Sequence, residues 1–235
     1  MKTIRFSHPF ATLTRGEWAL WLGSLLLIAG AMLLTPAFDG AVLCALLIGA
    51  TALIFVSKGE PLGQLLTVMF ALIYAYLSFR QRYWGEMITY LGMTAPMALA
   101  ALISWVKHPY AKGKSEVKIA ALRPRVSGLV LVLTVAVTGL FYFILRAFHT
   151  PNLFWSTASI ATSFSASALT FLRSPYYALA YAGNDLVLIL LWLLAAKRDI
   201  ACLPMVLCFV IFLVNDCYGF VNWRRMQKRQ HRMRK

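Results

Sequence analysis

The chain has 235 residues, of which 60% are hydrophobic and only 13% are charged, and its mean hydropathy is +0.71. A water-soluble domain of this size could not cover so much apolar surface, so the composition excludes that class and indicates a protein that crosses the bilayer several times. The formal net charge of +15 would suit nucleic acid, but the placement of the basic residues favours lipid headgroups instead.

Eight apolar runs are long enough to cross a bilayer as helices. The sequence therefore predicts an all-α integral membrane protein. The connections between the runs leave no room for an extramembrane domain. We predict spans at residues 17–35, 40–56, 62–79, 87–106, 126–146, 153–172, 176–196 and 203–223.

Basic residues are concentrated in alternate connections. With the N-terminus in the cytoplasm, 18 of the 23 Lys and Arg residues fall in segments on the inner side. The positive-inside rule then predicts that both termini are cytoplasmic. The inner segments include a tail at 1–16, a basic connection at 107–125 and a second basic tail at 224–235.

The first five spans carry few polar residues. We expect the span at 17–35 to be an extra helix that packs outside the others. Pro96, in the fourth span, removes a backbone hydrogen bond and can kink its helix.

Two tryptophans suggest an internal repeat. Trp105 and Trp223 each end a span and are followed by basic residues. The match predicts two related three-helix halves, a first half at 40–106 and a second half at 153–223, joined by a linker span at 126–146. A single linker span leaves the halves parallel, which is one of the two repeat plans of transporters.

The sixth span is rich in hydroxyl side chains. Ser159, Ser163 and Ser167 repeat every four residues, which allows close helix packing in lipid. Packing and the lining of a polar cavity are both open interpretations of this span.

The last two spans carry the same polar pattern. Asn184-Asp185 precedes Trp192, and Asn215-Asp216 precedes Trp223, in each case with the Asp seven residues before the Trp. Each Asp therefore lies about 10 Å from its Trp on one helix stripe. A carboxylate within a span costs about 2.5–3.5 kcal/mol on insertion scales, so it usually faces a cavity or a partner.

The pattern predicts a binding site for a solute with a flat ring and a polar portion. Aromatic faces stack on heterocycles and attract cations, and Asn and Asp orient hydroxyls or a carboxamide. We expect Tyr177, Tyr181, Trp192 and Trp223 to contact the ring, and the two Asn-Asp pairs to bind the polar portion.

Two other interpretations of the Asn-Asp pairs stay open. Asp185 and Asp216 could form the dyad of an intramembrane aspartyl protease, although the residues before Asp185 match the Gly-x-Gly-Asp motif of that class poorly. The pairs could also only clamp helices in a structural subunit. We see no P-loop, no other enzyme motif, and no histidine or cysteine spacing that would hold a metal or cofactor.

The same residues resemble a known family. The stretches Asn184–Trp192 and Asn215–Arg224 resemble the PnuC family of bacterial vitamin transporters. Residues 83–86 and 103–108 are similar to the counterparts of these motifs in the first half. The similarity extends over roughly residues 60 to 228.

The resemblance implies a three-plus-one-plus-three arrangement similar to the SWEET sugar transporters, assembled as a homotrimer in the bacterial inner membrane. It implies facilitated diffusion of nicotinamide riboside, a vitamin B3 precursor for NAD biosynthesis, with a cytoplasmic kinase that traps the vitamin by phosphorylation. Thiamine or riboflavin is the alternative solute, and proton coupling through the two Asp residues is the alternative mechanism. The binding positions of the family carry over to Asn184, Trp192, Asn215, Tyr218 and Trp223. Tyr177 and Ala180 stand where the family often has Trp-x-x-Trp.

Overall fold

A computed structural model describes residues 9–34, 38–80, 84–111, 113–197 and 200–233. Each predicted span corresponds to one long helix, so the prediction of an all-α membrane protein is confirmed. Residue 35, the predicted end of the first span, and residue 83 of the family resemblance lie outside the described residues. The helices are α1 (Arg15–Leu33), α2 (Gly40–Ser57), α3 (Pro61–Arg80), α4 (Trp84–Lys107), α5 (Pro124–Ala147), α6 (Leu153–Phe171), α7 (Tyr177–Ala196) and α8 (Leu203–Arg232).

Seven of these helices are long and apolar enough to cross a membrane, and α6 is the one that falls short. Its hydroxyl groups lower its hydropathy, but several of them bond to the backbone one turn earlier, as Thr157 does to Leu153 O at 2.7 Å and Thr170 to Ala166 O at 2.8 Å. Others bond to side chains of α7, as Ser163 and Ser167 do. Because these hydroxyls have partners within the protein, α6 remains compatible with a bilayer.

Pro96 distorts α4. Residues Tyr90–Thr94 form a π turn, in which the Ala95 amide donates to Tyr90 O five residues earlier. Proline has no amide hydrogen and its ring crowds the preceding turn, so the wider turn accommodates it. The distortion lies between the polar residues Tyr90 and Thr94 of α4.

Helices that are far apart in the sequence pack against each other. Helix α2 packs on α3 and α8, while α6 packs on α5, α7 and α4, and α1 packs on α2 and α8. The α2–α8 and α4–α6 contacts therefore connect the predicted first half to the predicted second half. Apolar side chains of α5, such as Leu131, Val135 and Phe143, stay exposed, as a surface that faces lipid requires.

One end of the bundle carries most of the positive charge. This basic end comprises the start of α1, the turns at 58–60 and 172–176, the connection at 108–123 and the last turns of α8. The connection crosses both turns, because the Val117 amide donates to Gly59 O at 2.9 Å and the Ala120 amide donates to Arg173 O at 3.0 Å.

Side chains of α8 hold this connection from the other side. The Gln230 amide oxygen accepts from the Ile119 amide at 2.9 Å, and its nitrogen donates to Val117 O at 3.0 Å. Glu116 also pairs with Arg229. The connection is therefore fixed to both predicted halves and to the end of the last helix.

The close contact of α3 with α2 at Gly63 gives a test of the packing. A Cβ atom at Gly63 of α3 would lie 2.4 Å from the Val56 amide nitrogen of α2, whereas a Cβ atom at Gly139 of α5 would meet nothing within 4 Å. We expect Gly63→Ala to reduce the free energy of unfolding by about 1–3 kcal/mol because α2 and α3 must separate. Thermal unfolding in detergent measures this effect, with Gly139→Ala as the control. Equal melting temperatures for the two variants would contradict the packing.

Glu60, in the turn at 58–60, generates a pH prediction. Burial raises the pKa of Glu60 above its ordinary value of 4.5, the Glu116 charge raises it further, and the hydrogen bond from Ser115 and the charge of Lys58 oppose the shift. A raised pKa means that the folded protein holds this proton more tightly, so stability falls as pH rises from about 4.5 through the folded pKa.

We therefore expect Glu60→Gln to raise the melting temperature at neutral pH, where the native residue is increasingly ionised. The gain should disappear below about pH 4.5, where both states of the native protein hold the proton. Melting curves of the two proteins between pH 4 and 8 measure the difference. A difference that does not change with pH would contradict the assignment.

Candidate functional site

Asn184 is oriented by the hydroxyls of α6. Its side-chain oxygen accepts from Thr162 Oγ1 at 2.9 Å and from Ser163 Oγ at 3.0 Å, and only 6% of the residue is exposed. Because both lone pairs of the oxygen are occupied, the amide nitrogen remains as the group that can donate to another partner. The hydroxyl-rich span thus fixes the amide of its neighbour.

Asp185 faces Asp216 across the contact between α7 and α8. The two carboxyl groups are close enough to interact electrostatically, and each residue is 4% exposed. Two carboxylates that are buried side by side favour a shared proton, because like charges repel in a medium of low polarity. The Asp185 Oδ2 atom has no hydrogen-bond partner among the described residues. The pair lies within the predicted second half.

Asn215 and Tyr218 face α1 instead of α7. Asn215 donates to Ser24 Oγ at 3.1 Å, and Tyr218 donates to Glu17 Oε1 at 2.7 Å. Glu17 also forms a 2.9 Å ion pair with Lys58. These two sequence-predicted residues therefore attach α1 to α8 and are not brought together with Asn184 and Asp185.

Tyr177 and Trp223 meet near the basic end. Their ring centroids lie 4.7 Å apart, and Trp223 also lies 5.4 Å from Trp105. The Trp223 indole donates to Val56 O at 2.9 Å, and all three rings are at most 1% exposed. By contrast, Trp192 lies two turns beyond Asp185 on α7 and stays partly exposed.

Tyr181 is the sequence-predicted residue that lines a cavity between the predicted halves. The cavity has a volume of about 10 Å³ and is bounded by α3, α4, α6 and α7, so it holds about one water molecule. Tyr181 forms a 3.1 Å hydrogen bond with Ser167 of α6. The polar lining residues are Gln64, Thr67, Thr94, Ser167, Thr170 and Tyr181.

Sequence reasoning missed three of these residues, all in the predicted first half. Gln64 and Thr67 lie three residues apart in the otherwise apolar start of α3, and Thr94 lies at the π turn before Pro96. The spacing of Gln64 and Thr67 places both on one face of a helix, which is the signal that could have found them.

Aromatic side chains continue from this central cavity away from the basic end. Tyr90 begins the π turn that ends at the cavity residue Thr94, and its ring centroid is 4.5 Å from that of Tyr74. Two polar aromatic rings therefore lie beside the cavity on the side of the π turn.

A larger cavity, of about 650 Å³, lies at the basic end between the start of α1, the 108–123 connection and α8. Its charged side chains largely neutralise one another, since Lys58 pairs with Glu17 and Arg229 pairs with Glu116. This cavity is lined by residues of both predicted halves, such as Lys58 of the first and Asn222 of the second, but it lies at the basic end of the bundle. None of the described residues forms a group of three or more His, Cys, Asp or Glu side chains that could hold a metal.

Comparison with known proteins gives the family. The family model described as nicotinamide mononucleotide transporter matches residues 40–225. The nicotinamide riboside transporter PnuC of Neisseria mucosa is 28% identical over 186 residues, which cover 77% of this chain and 70% of that protein. The nicotinamide riboside transporter PnuC of Haemophilus influenzae is 26% identical over 182 residues, which cover 77% of each chain.

A solved structure gives the same answer for the fold. The crystal structure of the vitamin B3 transporter PnuC superposes with a TM-score of 0.79 at 26% identity and covers 94% of this chain and 95% of that one. The family is one of transporters, which excludes the aspartyl protease as an interpretation of Asp185 and Asp216. The chain belongs to the nicotinamide mononucleotide transporter family and is a multi-pass membrane transporter, not an enzyme.

Proposed function

We propose that this protein transports nicotinamide riboside across the bacterial inner membrane. The observation that carries the proposal is the polar cavity between the predicted halves, with Tyr181 and five other polar side chains around it, in a chain whose relatives are nicotinamide riboside transporters. Transporters with internal repeats bind solutes near the middle of the membrane, at the contact between the repeats.

The volume of the cavity indicates how transport must proceed. Ligand sites occupy about 300–1,000 Å³, whereas this cavity holds about 10 Å³. The cavity must therefore expand when a nucleoside enters, which requires the halves at 40–106 and 153–223 to move relative to each other. Alternating access by rocking of the two halves fulfils this requirement.

Tyr181 and Asn184 are the best supported of the proposed contacts. Tyr181 lines the cavity, where its ring can stack on the cationic pyridinium. The Asn184 oxygen is occupied by two α6 hydroxyls, so its amide nitrogen can donate to the ribose or the carboxamide. Contacts from the other candidate residues stay predictions: Tyr177, Asp185, Trp192, Asn215, Asp216, Tyr218 and Trp223.

The finer features of transport form part of the same proposal. We propose facilitated diffusion with trapping by a cytoplasmic nicotinamide riboside kinase, a homotrimeric assembly, and cytoplasmic termini. The excess of Lys and Arg at the basic end supports the orientation, because basic segments remain on the inner side. The mechanism, the kinase and the trimer rest on the family resemblance.

Calorimetric titration of the detergent-purified protein tests the solute. We expect saturable binding of nicotinamide riboside and none of nicotinamide, thiamine or riboflavin. Preference for thiamine or riboflavin would leave the family assignment unchanged and would change the proposed solute. A folded protein that binds none of the four would contradict a vitamin site.

Counterflow in proteoliposomes tests the mechanism separately. We expect labelled nicotinamide riboside to exchange without any ion gradient. A strict requirement for a proton or sodium gradient would overturn facilitated diffusion and make the neighbouring carboxyl groups of Asp185 and Asp216 the candidates for proton coupling. Asp216→Asn distinguishes the two, because it should abolish proton coupling and spare uniport.

Substitution of the oriented amide tests the site. We expect Asn184→Ala to weaken nicotinamide riboside binding by about five- to tenfold, because it removes a buried donor worth about 1 kcal/mol. Gln227→Ala is the control, since Gln227 is an amide on the last turns of α8 that bonds to Arg224 at 2.9 Å. Unchanged affinity in a folded Asn184→Ala protein would remove Asn184 from the site.

A further inference from the structure

Two pairs of side-chain hydrogen bonds connect the predicted halves at the basic end. From α4, Ser104 donates to Phe171 O at 3.0 Å and Trp105 donates to Thr170 O at 2.9 Å. Both acceptors belong to the last turn of α6.

From α8, Asn222 donates to Ser57 O at 2.9 Å and Trp223 donates to Val56 O at 2.9 Å. Both acceptors belong to the last turn of α2. Each pair therefore consists of a polar residue followed by a tryptophan. The α4 pair binds the final two carbonyls of α6, which is the first helix of the second half, and the α8 pair binds the final two carbonyls of α2, which is the first helix of the first half. The two pairs are equivalent under exchange of the halves.

The indole rings of the two pairs meet between the halves. The centroids of Trp105 and Trp223 lie 5.4 Å apart, and both residues are fully buried. The central cavity lies next to this contact, on the side away from the basic end. Its lining includes Ala101, one turn before Trp105, and Thr170, whose carbonyl accepts from Trp105. The paired rings thus close the cavity toward the basic end.

The hydrogen bonds of these rings can open without leaving buried carbonyls unsatisfied. Val56 O also accepts from the Gly59 amide at 2.9 Å, and Thr170 O also accepts from the Arg173 amide at 3.0 Å. Each carbonyl therefore keeps a backbone partner when its indole departs. A contact of this kind suits a surface that separates and re-forms.

We propose that Trp105 and Trp223, with Ser104 and Asn222, form the gate at the basic end of the transporter. The gate is closed in this structure, and the two tryptophans separate to release solute from the central cavity. This inference rests on the proposed transport function and adds the residues that close one side. The competing role is a fixed hinge that stays bonded through the whole transport cycle.

A disulfide across the gate separates these roles. A Cβ atom at Gly219 of α8 would lie 3.5 Å from Ser57 Cβ of α2 and 3.8 Å from Ala178 Cβ of α7, which suits disulfide geometry. In a background without the four native cysteines, Ser57→Cys with Gly219→Cys joins the two halves. The matched control, Ala178→Cys with Gly219→Cys, joins two helices of the second half only.

For a gate, we expect oxidation of the cross-half pair to reduce nicotinamide riboside counterflow at least tenfold, and reduction with dithiothreitol to restore it. Oxidation of the control pair should leave counterflow within twofold of its reduced form. Full activity of the oxidised cross-half protein would overturn the gate and establish a hinge.

A second measurement needs no transported solute. Trp105→Phe and Trp223→Phe keep a ring at each position and remove the indole donor. With Ser167→Cys in the central cavity as the reporter, we expect a membrane-impermeant maleimide added at the basic end to react several-fold faster in either Phe variant than in the protein with both tryptophans.

Unchanged labelling from the basic end, in folded variants, would overturn the gate whatever the solute is. Failure of nicotinamide riboside to exchange in the parent protein, with labelling that still accelerates in the Phe variants, would instead contradict the proposed solute and leave the gate intact. Variants that lose folding without any change in side-specific labelling would indicate a purely structural contact.

Discussion

The requirement that polar groups be satisfied within the protein governs this structure. Lipid offers neither donors nor acceptors, so each buried polar group needs a partner from another residue. The hydroxyls of α6 meet this requirement with their own backbone and with Asn184, and the indoles of Trp105 and Trp223 meet it with helix-terminal carbonyls. Polar side chains that are infrequent in the sequence therefore determine which helices are neighbours.

This constraint also explains why two identical Asn-Asp motifs have different surroundings. Adjacent residues on a helix point about 100° apart, so the two members of a motif face different neighbours. Asp185 and Asp216 meet between α7 and α8, whereas Asn184 reaches α6 and Asn215 reaches α1. A single motif thus fastens its helix on two sides. Only the Asn184 side lies next to the hydroxyl-rich span.

Helix number and position were predictable because each span is a long apolar run, and hydropathy alone locates such runs. The buried positions of Asn184, Asp185, Asn215 and Asp216 followed from the cost of polar groups in lipid. The partners of these residues did not follow, because the rotation of each helix depends on packing that one sequence does not encode locally. Tyr218 illustrates this limit: its partner, Glu17, lies 201 positions earlier in the chain. Gln64, Thr67 and Thr94 were not predicted as site residues, because isolated hydroxyl and amide residues are too common to indicate a site.

The elements that fasten the basic end extend beyond the part of the chain that defines the family. The family model covers residues 40–225, yet Glu17, which joins Lys58 to Tyr218, precedes that range, and Gln230, which holds the 108–123 connection, follows it. Sequence changes in α1 or in the final turns of α8 can therefore alter how firmly this end is held without touching the solute cavity. The stability of the basic end can thus change through residues outside the family range that do not line the central cavity.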